Sequence, residues 1–331
     1  MEKVFSNKNS EIPELNETLI IPQILNSAEY KDNVCTIKDW ASYRDKNRTS
    51  LEDNLYLADI NYKKNEYIGL LNSNLKRDHM GIHHYSNKDI YLGEWKNNER
   101  DGVGAYLHNK PVIKGKVLIE MFLGKWKNDQ PNNEGVYCWI EEPEKNDDFD
   151  NCDFHAFVGE LNDANFKRGV YLTKLNQKFY IYYGSFLDGK KNDEQCYFYD
   201  NDSVIDRVFR GKIVKDDISD GFFVSFHKDD IDDTVFLKFD GGKPSEIAEK
   251  KTLEKGIVKQ IEEECLHFRE ILFEEDWFTL IYEKTKEAYE LISNFKYNDF
   301  NDEKKFKEIV KIASSYKEIP LYPNMCEKMN K

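Results

Sequence analysis

The chain has 331 residues, 40% of them hydrophobic, and a formal charge of -14 from 62 acids against 48 bases. That length holds one or two domains with an adequate core, and the charge repels nucleic acid and anionic lipid at long range, so nucleic acid is not an expected partner. No apolar run approaches the roughly 18 residues of a membrane-spanning helix. The six cysteines (Cys35, Cys138, Cys152, Cys196, Cys265, Cys326) lack the spacing of a zinc site or a disulfide framework, and the first twenty residues contain acid and no arginine, unlike a leader. The expected setting is the cytoplasm, with reduced thiols.

In chain order, residues 1–34 read as an extended arm, with Pro13 and Pro22 flanking the apolar cluster Leu19-Ile20-Ile21. Within 35–61, Thr36-Ile37-Lys38-Asp39 opens a capping box and Trp40, Tyr43 and Arg44 follow at helical spacing, which predicts one short helix and a linker. From about residue 62 to 244 one pattern recurs. Its cleanest copy is Tyr91-Leu92-Gly93-Glu94-Trp95, a polar run Lys96 to Asp101, then Gly102-Val103-Gly104-Ala105-Tyr106. Residues 91, 93 and 95 share one strand face, the polar run is a turn, and a second strand puts Gly104 and Tyr106 on one face, so each unit is a β-hairpin. Glycine between two aromatics leaves room for a neighbour's ring.

Other copies are Tyr67-x-Gly69 with Gly81, Phe122-x-Gly124-x-Trp126 with Gly135 and Tyr137, Phe157-x-Gly159 with Gly169, Tyr182-x-Gly184-x-Phe186, and Phe209-x-Gly211 with Gly221. Where both glycines stand, the second follows the first by ten to twelve residues. The copy at Gly184 has Gln195 in place of the second glycine, and a weak seventh copy around Phe236 to Pro244 puts Leu237 at the glycine position.

This rhythm resembles the MORN repeat family over roughly residues 62–244, departing from it at Leu161, Ile213 and Gln195 and in stretched intervals after Gly93 and Gly124. The resemblance implies a mainly β fold, an elongated single-layer antiparallel sheet of stacked hairpins, with α structure at the C-terminus. It also implies a structural role in large assemblies: cilia and flagella, including the axoneme, other cytoskeletal structures, and membrane contacts.

Between repeats, Pro111 to Met121 reads as an extra apolar strand, and the acids Asp147, Asp148, Asp150, Asn151 and Asp153 as a solvated loop, since no glycine completes a calcium-binding loop. His79, His83 and His84 fall in a hairpin with no further ligands at a standard spacing, so no metal or cofactor is expected. Beyond Pro244 the period lengthens to about 3.6 residues. Three stripes predict two or three helices over 245–319: Ile257, Ile261, Cys265, Phe268, Leu272; Trp277, Leu280, Ile281, Ala288, Leu291, Phe295; and Phe306, Ile309, Val310, Ala313, Tyr316. Pro244-Ser245 starts the first helix, and Pro320 and Pro323 leave an extended tail over 320–331. The helices are expected to cap the sheet's open end or to dock a partner.

The sequence carries no nucleophile elbow, phosphate-binding loop, kinase set or metalloprotease motif, so an enzyme and a small-molecule substrate are not expected. The expected function is a non-enzymatic scaffold that binds other protein subunits in a large cytoskeletal assembly, foremost the axoneme. Tyr91, Trp95, Tyr106, Phe122, Trp126, Tyr137, Tyr182, Phe186 and Phe209 are the expected partner-binding rings. Two alternatives stay open: a peripheral membrane adaptor for anionic phosphoinositides, and an accessory subunit of another complex.

Overall fold

The computed structural model describes residues 56–330 except 63–64, 73, 75, 110–116, 143–153, 176–177, 202–203, 228–233, 245–254, 275 and 296–302. The expected arm, the short helix at Thr36 to Lys46 and the acidic loop near Asp150 lie outside the described residues.

Among the described residues sixteen strands form one antiparallel sheet. They are β1 (Tyr56–Tyr62), β2 (Asn65–Leu71), β3 (Arg77–His84), β4 (Ile90–Lys96), β5 (Glu99–Asn109), β6 (Val117–Lys127), β7 (Gln130–Glu142) and β8 (Phe154–Asn162). There follow β9 (Asn165–Leu175), β10 (Lys178–Leu187), β11 (Lys190–Lys191), β12 (Asp193–Asn201), β13 (Ile205–Val214), β14 (Asp217–His227), β15 (Thr234–Asp240) and β16 (Lys243–Pro244). Each strand pairs with the next, β11 alone standing off the path against β10, and the two ends do not meet. At a strand spacing near 4.8 Å the path is roughly 70 Å long. The sheet starts at Tyr56, ahead of the boundary at 62 that the glycine rhythm suggested, and Val117 to Met121 is the first half of β6 rather than an extra strand.

Six hairpins turn through two residues that both have positive φ: Asn97-Asn98, Asn128-Asp129, Asp163-Ala164, Asp188-Gly189, Lys215-Asp216 and Gly241-Gly242. This is the type I′ geometry, whose twist matches that of the flanking strands and which favours Asn, Asp and Gly. Successive turns are tied together, because Asn98 N donates to Arg77 O (2.9 Å), Asp129 N to Arg100 O (3.1 Å), Ala164 N to Pro131 O (3.0 Å) and Asp216 N to Lys191 O (2.9 Å).

Strand alternation gives the sheet two unlike faces. One carries the rings and glycines. The other is aliphatic, with Ile82, Leu92, Ala105, Leu123, Val170 and Leu172 fully buried, and it merges with the helices into one core. Those helices are α1 (Lys255–Phe273), α2 (Trp277–Asn294), α3 (Glu303–Ala313) and α4 (Leu321–Met329), with a 3-10 turn at Ser315–Glu318.

The helices lie across this face rather than capping the end of the sheet: α1 rests on β12, β13 and β14, α2 on β5 and β6, α3 on β4 and β5, and α4 on β8 and β9. A terminal edge offers backbone groups, whereas the aliphatic face offers the area that amphipathic helices need to bury. Two details differ from expectation. The expected helix start at Pro244-Ser245 falls at residues outside those described, α1 running from Lys255, and on α1 Ile257 is exposed while Val258 and Ile271 are buried. The C-terminal tail is not extended but forms α4, with Pro320 just before its first turn and Pro323 within it, positions where a missing N–H costs nothing.

Candidate interaction surface

Register lines the rings up into a single row. Tyr67 pairs with His83, His83 with Tyr91, Tyr91 with Tyr106, Tyr106 with Phe122, Phe122 with Tyr137, and Tyr137 with Phe157. The row continues through Tyr171, Tyr182, Phe198, Phe209 and Phe223. Two residues along each strand runs a glycine row: Gly69, Gly81, Gly93, Gly104, Gly124, Gly135, Gly159, Gly169 and Gly184, with Gly211 and Gly221 farther on. In the gap, Cys196 rather than Gln195 faces Gly211, because the ladder shifts register between Asp193 and Cys196. In the last copy Leu237 faces Phe223 in the ring row and Phe239 faces Gly221.

The two rows interlock. The Tyr91 ring folds down over Gly93 and Gly104, so that a Cβ built on Gly104 would stand 2.6 Å from Tyr91 Cε2, and one on Gly93 would stand 2.5 Å from the Cα of Gly104. Neither position has room for a side chain. The folded-down hydroxyls of Tyr67, Tyr91 and Tyr182 donate to carbonyls three residues on, of Leu70 (2.8 Å), Glu94 (2.9 Å) and Ser185 (2.7 Å).

A third row closes the stack. Trp95 meets Tyr91 edge to face at 5.0 Å and Tyr67 at 5.7 Å, and its Nε1 donates to Gly81 O at 3.2 Å. Trp126 meets Tyr91 at 5.2 Å and Phe122 at 5.4 Å. Over each indole lies an arginine from the preceding hairpin, Arg77 Cζ at 4.0 Å from the Trp95 ring and Arg100 Cζ at 4.4 Å from that of Trp126. Such contacts add about 0.5–2 kcal/mol when desolvated. Arg100 Nε also donates to Asp129 Oδ1 at 3.0 Å and its Nη2 to Asp129 O at 2.7 Å, locking one turn onto the next. Arg77 Nη1 meets His83 Nδ1 at 2.6 Å. Burial first, then the Arg77 charge, holds His83 well below its usual range, so the imidazole is neutral and accepts from the guanidinium.

These contacts change the meaning of the nine rings expected to anchor a partner. Tyr91, Trp95, Tyr106, Phe122, Trp126, Tyr137, Tyr182 and Phe209 are all buried, and Phe186 is half-buried against Tyr182 (5.3 Å) and Phe157 (5.6 Å). They form the chain's own core, so among the described residues these nine rings make no row of open anchors. The sequence offers Arg77 and Arg100 as part of the basic turn face that the lipid-adaptor alternative would use, but both are buried over the indoles; their role there was missed, and its signal is a basic residue just ahead of the second glycine segment. Sequence reading missed Thr285 on α2 as well, a polar residue inside an apolar stripe, which donates to Ile281 O (2.8 Å) and meets Cys138 Sγ of β7 at 3.0 Å.

Asp89, fully buried, accepts from the Tyr106 hydroxyl at 2.6 Å and meets His108 Nδ1 at 2.8 Å. Among the described residues no three His, Cys, Asp or Glu side chains converge to hold a metal ion, and no helix is long and apolar enough to cross a membrane. Burial pushes the thiols of Cys138, Cys196 and Cys265 up to about 12.

Compared with known proteins, residues 91–109 and 122–140 match the family model of the MORN repeat. These are the hairpin copies at Gly93 and Gly124, each from its ring-bearing first strand into its second. No curated protein matches the chain.

Proposed function

Taking as premise that this chain is a MORN-repeat protein, we propose that it is a non-enzymatic scaffold that holds other protein subunits in a large cytoskeletal assembly. MORN repeats are known in scaffold roles that bind proteins or lipids. The assembly we infer is that of a cilium or flagellum, on the occurrence of such arrays in axonemes.

The observation that carries this reading is the closure of both sheet faces within the chain, rings on one side and helices on the other. The result is a stiff, regularly stepped body whose free features are its polar turns and strand edges, a form suited to spacing and holding. The buried cysteines Cys138, Cys196 and Cys265 are held as thiols. The test is co-purification of the tagged chain from cells, with fractionation into detergent-resistant cytoskeleton, membrane and soluble pools. Recovery with protein partners in the cytoskeletal pool supports the reading. Salt-sensitive recovery with membranes, repeated on phosphoinositide liposomes, replaces it with the lipid-adaptor reading.

A further inference from the structure

The ring face is covered less well at its far end. Upstream, where a further hairpin always follows, Tyr91, Phe122, Phe157 and Phe209 are at most 1% exposed. In the last repeat Phe223, Leu237 and Phe239 are half-buried and Val235 is 45% exposed, because the sheet stops there. β16 pairs with β15 only at Phe239 and Asp240. Along Thr234 to Lys238, among the described residues, no strand follows β15 in the order of the sheet. A terminal strand of this kind is a template for pairing with another chain, and strands that stay single are guarded by charge, proline or a bulge. The stretch Thr234-Val235-Phe236-Leu237-Lys238 has one charge, at its end, and pairs with β14 without a register shift.

This stretch is complementary to itself. A two-fold axis through Phe236, normal to the sheet, lays β15 of a second copy antiparallel against the first. Phe236 then stands opposite the partner's Phe236, Leu237 opposite the partner's Val235, and Lys238 opposite the partner's Thr234. Residues directly opposite share a face, so Leu237 and the partner's Val235 extend the ring row that Leu237 ends at Phe223, and no like charges oppose each other. The short β16 makes the end of the sheet a step, and the second β15 fills the half of it that β16 leaves. Head-to-tail pairing with β1 of another copy does not fit this step. Setting Ile60, which faces Tyr67, beside Leu237 to continue the ring row brings Ala58 to the place of Pro244, which already faces Phe239.

We propose that the outer edge of β15 is the contact between two copies of this chain, which join their sheets into one across a two-fold axis. The joined sheet is twice as long, roughly 140 Å, and the closed symmetry stops it at two copies. The proposal concerns the chain's assembly with itself and does not rest on the scaffold reading.

The test follows the full-length chain by sedimentation from low to high micromolar concentration, and measures backbone amide exchange by mass spectrometry at both ends of that range. The expected result is a reversible monomer–dimer equilibrium, with the amides of Thr234 to Lys238 exchanging about tenfold more slowly in the dimer. Val235→Lys sets a charge against the partner's Leu237 and leaves a monomer at every concentration with the parent's melting temperature, whereas Val235→Thr, uncharged and equally suited to a strand, still dimerises. A parent chain that stays monomeric, a mass that climbs past two copies, protection confined to other strands, or a dimer that survives Val235→Lys overturns the proposal. Should Val235→Lys lower the melting temperature, the concentration dependence of amide exchange in the parent chain decides alone.

Discussion

The two faces of the sheet are built by opposite means. On the ring face every contact joins residues close in sequence: Tyr91 lies on its own hairpin's glycines, and Trp126 reaches back one hairpin to Gly104 O at 3.4 Å. On the aliphatic face the partners come from the far end of the chain, as where Cys138 meets Thr285 or the Tyr197 ring stacks on Phe268 at 4.9 Å. The ring face can therefore form hairpin by hairpin, each repeat leaning on its neighbour, whereas the aliphatic face is completed only when residues beyond 255 have folded back. A repeat array alone leaves half its core uncovered.

The largest effect follows from removing that cover. A chain ending at Pro244 exposes the whole aliphatic face, and the expected outcome is aggregation, seen by size exclusion and light scattering. A monodisperse, soluble product would show that the helices are dispensable.

Single side chains separate the faces more finely. Trp126→Ala and Phe268→Ala should each cost about 3–5 kcal/mol in chemical denaturation, but with different local signatures. The first should raise amide exchange in β4 to β7, the second in α1 and β12 to β14. Identical exchange maps would mean that the faces are not independent. Next in size, Gly104→Ala forces a methyl group against the Tyr91 ring and should cost about 1–3 kcal/mol. Gly189→Ala, with nothing near its Cβ, should lose only the smaller cost of its positive φ.

The last effect is a pH dependence centred on His83 of the ring face. The folded-state pKa of His83 lies below its unfolded value near 6.5, so unfolding takes up a proton in the window between them. The stability that neutral His83 contributes is therefore complete above pH 6.5 and is lost as pH falls through that window, by up to about 1.4 kcal/mol per pH unit. His84, lowered by burial, adds in the same direction. His83→Asn, which keeps an acceptor for Arg77, should flatten the slope between pH 6.5 and 5. An unchanged slope would move its origin to other groups.

The same contrast explains what could be read from the sequence. The hairpin array was legible because ring, glycine and turn recur at fixed short spacing, and its strand pairing follows from that spacing alone. The Gly184 copy shows the limit: Gln195 was counted into the glycine place, but a register shift after Asp193 puts Cys196 there instead. The burial of the rings was not legible. Spacing gives the face on which Tyr91 and Trp95 stand, but not that they fold onto glycines and stack under Arg77 and Arg100 until they are closed off. Nor was the docking of the helices, since the stripe on α2 says that it needs an apolar surface without naming β5 and β6. The tail was misread because Pro320 and Pro323 look like stops, although a first helical turn accepts proline.

The central claim is that the C-terminal helices close the aliphatic face of the repeat sheet within one chain. The most direct measurement introduces Thr285→Cys, whose side chain would stand beside Cys138 Sγ, now 3.0 Å from Thr285 Oγ1. After mild oxidation of the dilute protein, the disulfide is mapped by peptide mass spectrometry. The account predicts rapid, intramolecular cross-linking of position 285 to Cys138 of β7, with the thermal transition raised and the oligomeric state unchanged. Failure of that bridge to form in the native chain, or its formation only between molecules, would contradict the account.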